Sequence, residues 1–208
     1  MDGDTQSDLT VARRLAIAAA GLLSGLVGAF GMIALMAAGR TWLGIAPPPE
    51  ALPDRFAPLI PIPTFFSLFA RFGGYNGLKQ FGVSSGIVGL IVVGALLGLA
   101  YALISESRRS RLTGRWREGL SIPAVGFISG AALVLWIVSI ALLRPVLDAN
   151  YRGMPPGTAR LASAAALLVE YLSFAVVTII VYRFLAPRPE GAARPVPAAA
   201  PVGRRAVV

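Results

Sequence analysis

The sequence predicts an all-α integral membrane protein, a bundle of four transmembrane helices. Three observations carry that prediction. Leu15 to Ala38, Val83 to Ile104 and Ile122 to Leu143 contain no charged residue, and Leu161 to Tyr182 contains one, Glu170. Each run is long enough to cross a hydrocarbon core of roughly 30 Å as a helix rising about 1.5 Å per residue. Hydrophobic residues make up 56% of the 208, and mean hydropathy is +0.71, well above that of an average soluble domain. Within lipid the backbone must satisfy its own hydrogen bonds, so runs of this length are read as helices.

The chain divides accordingly. Residues 1–14 form a short N-terminal segment in which Asp2, Asp4 and Asp8 precede Arg13 and Arg14. The apolar run that follows exceeds the roughly 7–15 residues of a cleaved signal peptide and is read as an uncleaved first span. The membrane domain covers 15–185, with spans at about 15–38, 83–104, 122–143 and 161–185. Residues 186–208, rich in Pro, Ala and Arg and without periodicity, read as a linker or tail.

Orientation follows from the basic residues. With the N-terminus inside, twelve arginines fall on the cytoplasmic side, five of them between Glu106 and Ser121, against seven Lys and Arg outside. The positive-inside rule then puts both termini in the cytoplasm. The net charge of +9 is explained by these helix-end arginines and by anionic lipid headgroups, so nucleic acid is not an expected partner.

The segment 44–82 is unusual. Pro47, Pro48, Pro49, Pro53, Pro58, Pro61 and Pro63 argue against a continuous helix through its first half, although it is apolar. From Thr64 onward Phe65, Leu68, Phe69 and Phe72 fall at helical spacing, and Gly73 is placed to stop the helix. The pattern predicts a short amphipathic helix at the outer interface, with the whole segment as an apolar lid over the helix ends; a shallow re-entrant excursion is the alternative reading.

Glycines recur at four-residue spacing in three spans: Gly21 and Gly25, Gly94 and Gly98, Gly126 and Gly130. Such pairs let helices approach closely, within the chain or against a partner. No strand precedes them and no GxxxxGK[ST] is present, so they are not phosphate loops.

The chain contains no histidine and no cysteine. Thiolate, zinc and iron–sulfur chemistry are thereby excluded within it, as are catalytic dyads and triads built on His or Cys. No catalytic, cofactor-binding or metal-ligating residue is assigned. Glu170 is one candidate site: it lies near the middle of the fourth span, where an ionised acid costs on the order of 2.5–3.5 kcal/mol. Either it is protonated and hydrogen-bonded to neighbours beside Tyr171 or to a hydroxyl such as Ser129 or Ser139, or it faces a wet cavity as a proton relay or substrate contact. A polar cluster on the outer face is the other candidate, formed by Asn76, Lys79, Arg144, Asn150, Tyr151 and Arg152. It suits a lipid headgroup, a quinone oxygen or a partner domain, but also plain interfacial anchoring. Trp42, Trp116 and Trp136 read as belt or lipid-facing residues.

The loop sequences carry a resemblance. Leu52-Pro53-Asp54-Arg55, the stretch from Phe66 to Phe72, Gly73-Gly74-Tyr75-Asn76 with Lys79, and Asn150-Tyr151-Arg152-Gly153 with Pro155-Pro156-Gly157 resemble the N-terminal membrane region of bacterial membrane-anchored molybdopterin-dependent oxidoreductases of the sulfite-oxidase type. The resemblance covers most of Leu15 to Leu185. Gly203-Arg204-Arg205 likewise looks like a twin-arginine entry to a further helix. The resemblance implies a bacterial inner-membrane anchor for an extracytoplasmic molybdopterin domain, in the same chain or a partner chain. It also implies that these residues are a fragment of a longer protein or a separate membrane module. The family's molybdenum-liganding cysteine belongs to that other domain, so no catalytic residue carries over. Two alternatives stand beside it: a free-standing small transporter subunit using Glu170, and a membrane assembly factor that binds other helices through its glycines.

Overall fold

A computed structural model describes residues 2–109, 121–149 and 152–187, and over these residues the chain is helical with no strand. The elements in order are α1 (Asp2–Ala38) continued by a π-helical turn (Gly39–Leu43), α2 (Pro48–Phe56), a 3-10 turn (Ala57–Leu59), α3 (Ile62–Phe72), α4 (Tyr75–Arg109), α5 (Ile122–Leu143) and α6 (Pro156–Leu185). α1, α4, α5 and α6 are each long and apolar enough to cross a membrane, and the protein is a multi-pass membrane protein. The 22 residues of α5 rise about 33 Å, matching the hydrocarbon thickness without excess.

The four spans form an up-and-down ring. α1 packs between α4 and α6, and α5 closes the ring by packing on the same two helices. The α1–α4 seam is built on glycine. A Cβ placed on Gly21 would stand 2.6 Å from the Ala102 Cβ, and one on Gly94 would stand 2.7 Å from the Ala29 Cβ. At one end of the ring Arg13 bonds Glu106 across this seam at 2.6 Å, and Tyr101 meets Tyr182 edge to face with ring centroids 5.3 Å apart. The other end carries residues 39–74, 144–149 and 152–155 and is here termed the loop-rich end. Around the outside, Val27, Phe30, Val88, Val92, Val134 and Ile137 are exposed, as expected of side chains whose solvent is lipid.

Three helices start ahead of the apolar runs read from the sequence: α1 at Asp2, α4 at Tyr75 and α6 at Pro156. The second span begins at Tyr75, because the helix continues upward from the apolar run through Lys79 and Asn76. Polar side chains mark the end of the apolar run but do not stop a helix. The first half of the Pro-rich segment contains a nine-residue helix, α2. Pro48 and Pro49 occupy its first two positions, where no intrahelical N–H bond is required; Pro58 and Pro61 follow its end.

α2 does more than cover the helix ends. Pro48, Pro49 and Ala51 are buried, and α2 packs on both α4 and α5. Gly86 and Gly82 of α4 receive it: Cβ atoms there would stand 3.0 Å from Pro49 and 2.9 Å from Pro53. Arg55 then donates to the Leu142 carbonyl of α5 at 3.3 Å. α2 is thus a wedge between two spans. Gly73, at φ 70°, ends α3, and the Gly74 N–H donates to the Phe69 carbonyl at 2.8 Å. That turn folds the Phe-rich helix back so that Phe72 stacks near Phe81 of α4, at 4.8 Å between centroids.

Candidate functional site

The seam between α1 and α6 is where the enclosed polar groups gather. Ser163, Leu167, Glu170, Phe174 and Thr178 share the buried face of α6 at spacings of four, three, four and four. α1 opposes them with small residues, because a longer side chain there would collide. A Cβ on Gly28 would stand 3.1 Å from the Phe174 ring and would overlap the Thr178 hydroxyl.

Glu170 is 3% exposed. Its Oε1 lies 3.4 Å from where a Gly39 Cβ would stand, and its Oε2 is fully enclosed with no hydrogen-bond donor. The Thr178 Oγ1 is enclosed in the same way. Glu170 is central in α6 by residue count but not against α1. Its carboxyl reaches Gly39, at the end of the α1 apolar run and next to Arg40.

The π-helical turn shapes that spot. The Thr41 hydroxyl donates to the carbonyls of Ala37 and Ala38, at 3.0 Å each. Gly44, at φ 70°, terminates the turn with its N–H on the Gly39 carbonyl. Single π turns are rare and recur at functional sites. Arg152 closes over Gly44, its Cγ 2.7 Å from a Gly44 Cβ position, and donates to the Thr41 carbonyl at 3.2 Å.

Ser139, a hydroxyl matched to Glu170 by the sequence reading, pairs with the Tyr171 hydroxyl at 2.7 Å. Trp136 is not simply lipid-facing: its indole N–H donates to the Ala164 carbonyl at 2.8 Å and ties α5 to α6. No sequence pattern distinguishes such a tryptophan from one in the interfacial belt.

The polar cluster of the loop-rich end resolves into separate pairs. Lys79 reaches both Asp54 oxygens at 3.2 Å, and the Tyr75 hydroxyl donates to Asp54 Oδ1 at 3.2 Å. Arg152 is held by the π turn, while Asn76 and Arg144 are exposed. Asn150 and Tyr151 lie outside the described residues, as do Trp116, Arg111, Arg115, Arg117 and the tail from Arg188. Two pairs went unread in the sequence. Arg40 grips Glu50 of α2 with Nε and Nη2 at 2.7 and 3.1 Å. Arg160 grips Asp148 at 2.8 and 2.5 Å. The Arg160 hydrogen bond holds the Asp148 carboxyl below its ordinary value, against a smaller opposing effect of desolvation.

Comparison with protein-family models, with curated proteins and with solved structures finds no match to this chain. The glycine pairs of α1 and α4 are brought into contact, whereas Gly126 and Gly130 of α5 have nothing within 4 Å of a Cβ position. Among the described residues no group of three or more His, Cys, Asp or Glu side chains is placed to hold a metal ion. The chemistry available at Glu170 is that of an enclosed carboxyl: it can take up a proton, donate one hydrogen bond when neutral, or face a small cation.

Proposed function

We propose that the chain is the membrane anchor module of a molybdopterin-dependent oxidoreductase in a bacterial inner membrane, with its loop-rich end extracytoplasmic and both termini cytoplasmic. The observation that carries the anchor reading is the construction of the loop-rich end as a firm platform. α2 is wedged between α4 and α5, Arg40 is tied to Glu50, Lys79 to Asp54, and Arg160 to Asp148. A cross-braced end of this kind suits a docking base for a second domain. The orientation is supported by the twelve-to-seven distribution of basic residues. The oxidoreductase link is supported by the resemblance of the loop sequences.

This chain offers no thiolate, so its residues do not fit molybdenum ligation, and the cofactor would reside on the partner domain. The module's own contribution would be membrane retention, with a lipid headgroup or quinone contact at the exposed Asn76 and Arg144. Purification of the tagged protein from native membranes tests this reading. Molybdenum and pterin in constant ratio to the chain are expected, and a pure complex devoid of both would sink it. Orientation is tested separately. Trp42 is 74% exposed, and Trp42→Cys, the one thiol among these 208 residues, should react with an impermeant maleimide in intact spheroplasts.

A further inference from the structure

We infer that Glu170 is a proton-binding site which exchanges with the loop-rich end of the bundle and is closed from the opposite end by Phe174. The inference holds with or without an attached catalytic domain. The reaction is the addition of one proton to one carboxylate, and no electron or other atom moves.

The enclosure is the first support. Oε2 meets no donor, and an ionised carboxylate shut away without a donor is strongly disfavoured relative to a neutral one. Among the described residues, the charged groups beside the π-helical turn are Arg40, Glu50 and Arg152, and Arg152 donates to the Thr41 carbonyl at 3.2 Å. Arg40, beside the Gly39 contact, commits Nε and Nη2 to Glu50 of α2. Tyr171, the next residue of α6, is paired with Ser139 of α5. α5 contains no ionisable residue between Ile122 and Leu143, and α4 contains none between Gly82 and Ala100.

Sidedness is the second support. The carboxyl tip lies against Gly39, one residue from Arg40, whose side chain is 35% exposed at the loop-rich end. One turn further along α6, Phe174 fills the seam. Its ring and backbone approach the Gly28 Cβ position at 3.1 Å, and its ring approaches the Gly94 Cβ position at 3.3 Å, so it reaches from α1 to α4. Thr178, the next polar group on that face, lies about 12 Å beyond Glu170 at helical rise, with Phe174 between them. The seam is therefore an enclosed proton store that lies nearest the loop-rich end, and not a conduit.

The test uses the full chain reconstituted in phosphatidylcholine–phosphatidylglycerol vesicles and treated with dicyclohexylcarbodiimide, which adds to protonated carboxyl groups in apolar surroundings. Peptide mass spectrometry should find the adduct on Glu170, declining as pH is raised from mildly acidic to alkaline. Glu170→Gln should carry none, and should lose a protonated-carboxyl infrared band that the wild type shows. No adduct and no such band at any pH would overturn the proposal, as would an adduct yield independent of pH. Suppression of labelling by sodium chloride at constant pH would overturn the assignment to a proton in favour of a metal cation. The wild-type measurements need no variant, so a Glu170→Gln chain that fails to fold leaves them decisive. Vesicles containing the wild type should hold an imposed pH gradient as long as empty ones; a faster decay would overturn closure by Phe174.

Discussion

Gly25 of α1 and Gly98 of α4 meet backbone to backbone, so closely that a Cβ on Gly25 would stand 3.0 Å from the Gly98 Cα. This contact is the centre of the bundle's tightest seam. It replaces the water-driven core of a soluble bundle with van der Waals packing between bare backbones.

The first prediction follows from it. Gly98→Leu should destabilise the protein by about 1–3 kcal/mol or more, because neither backbone can retreat without parting the helices. Gly130→Leu, on a glycine with nothing within 4 Å, should stay near wild type. Thermal unfolding of both in one detergent compares them, and equal losses would refute the seam.

A second prediction concerns Thr178, whose hydroxyl is enclosed and unpartnered. Thr178→Val keeps the shape and removes the orphaned group, so stability should rise by about 1–3 kcal/mol. A fall in the detergent unfolding midpoint would show that the hydroxyl has a partner, such as a trapped water.

Ser139 and Tyr171 offer a third, since their hydroxyls bond at 2.7 Å across the α5–α6 seam. Ser139→Ala and Tyr171→Phe should each cost about 1 kcal/mol, and the double variant scarcely more than either. Additive losses would mean that the two hydroxyls act independently.

The fourth is a pH dependence. Asp148 is held below its ordinary value near 3.8 by the hydrogen bond from Arg160, with its charge and that of Arg144 adding to the effect. A carboxyl lowered in the folded state stabilises above its unfolded value, and the contribution is lost as pH falls through the folded one. The wild type should therefore lose a small increment of stability below about pH 4 that Asp148→Asn lacks at every pH. Unfolding midpoints of the two proteins across acidic buffers should converge as pH drops. Because the pair is exposed, the difference at neutral pH should be small.

The spans were legible because lipid imposes one demand, an uninterrupted apolar run, and Leu15 to Ala38 or Ile122 to Leu143 meets it without ambiguity. Gly73 was legible for a similar reason: a helix stop that needs a left-handed residue leaves a glycine in the sequence. The upper turns of α4 were not, since Asn76 and Lys79 ride on a helix that has left the apolar layer. α2 was hidden because proline disfavours helix interiors but suits helix starts, and this short helix carries Pro48 and Pro49 at its start and tolerates Pro53 within it. The candidate site was half legible. A charge in an apolar run singled out Glu170, but its level in the bundle depends on how α6 slides against Gly28 and Gly39. Spacing alone could not rank the glycine pairs either: Gly126 and Gly130 share the interval of Gly21 and Gly25, and only the folded ring shows which faces are covered.

The seam between α1 and α6 also sets an order of events during synthesis. α6 alone among these four spans carries a charge within its apolar run, and it leaves the ribosome after α1, α4 and α5. By then α1 and α4 can already have joined through their glycines, leaving the Gly28 and Gly39 flank of α1 facing lipid. Glu170 thus enters a membrane in which its resting place has already been made. A bundle whose α1–α4 contact is spoiled should therefore fail twice: the early pair does not form, and the late, charged helix has no prepared groove to enter.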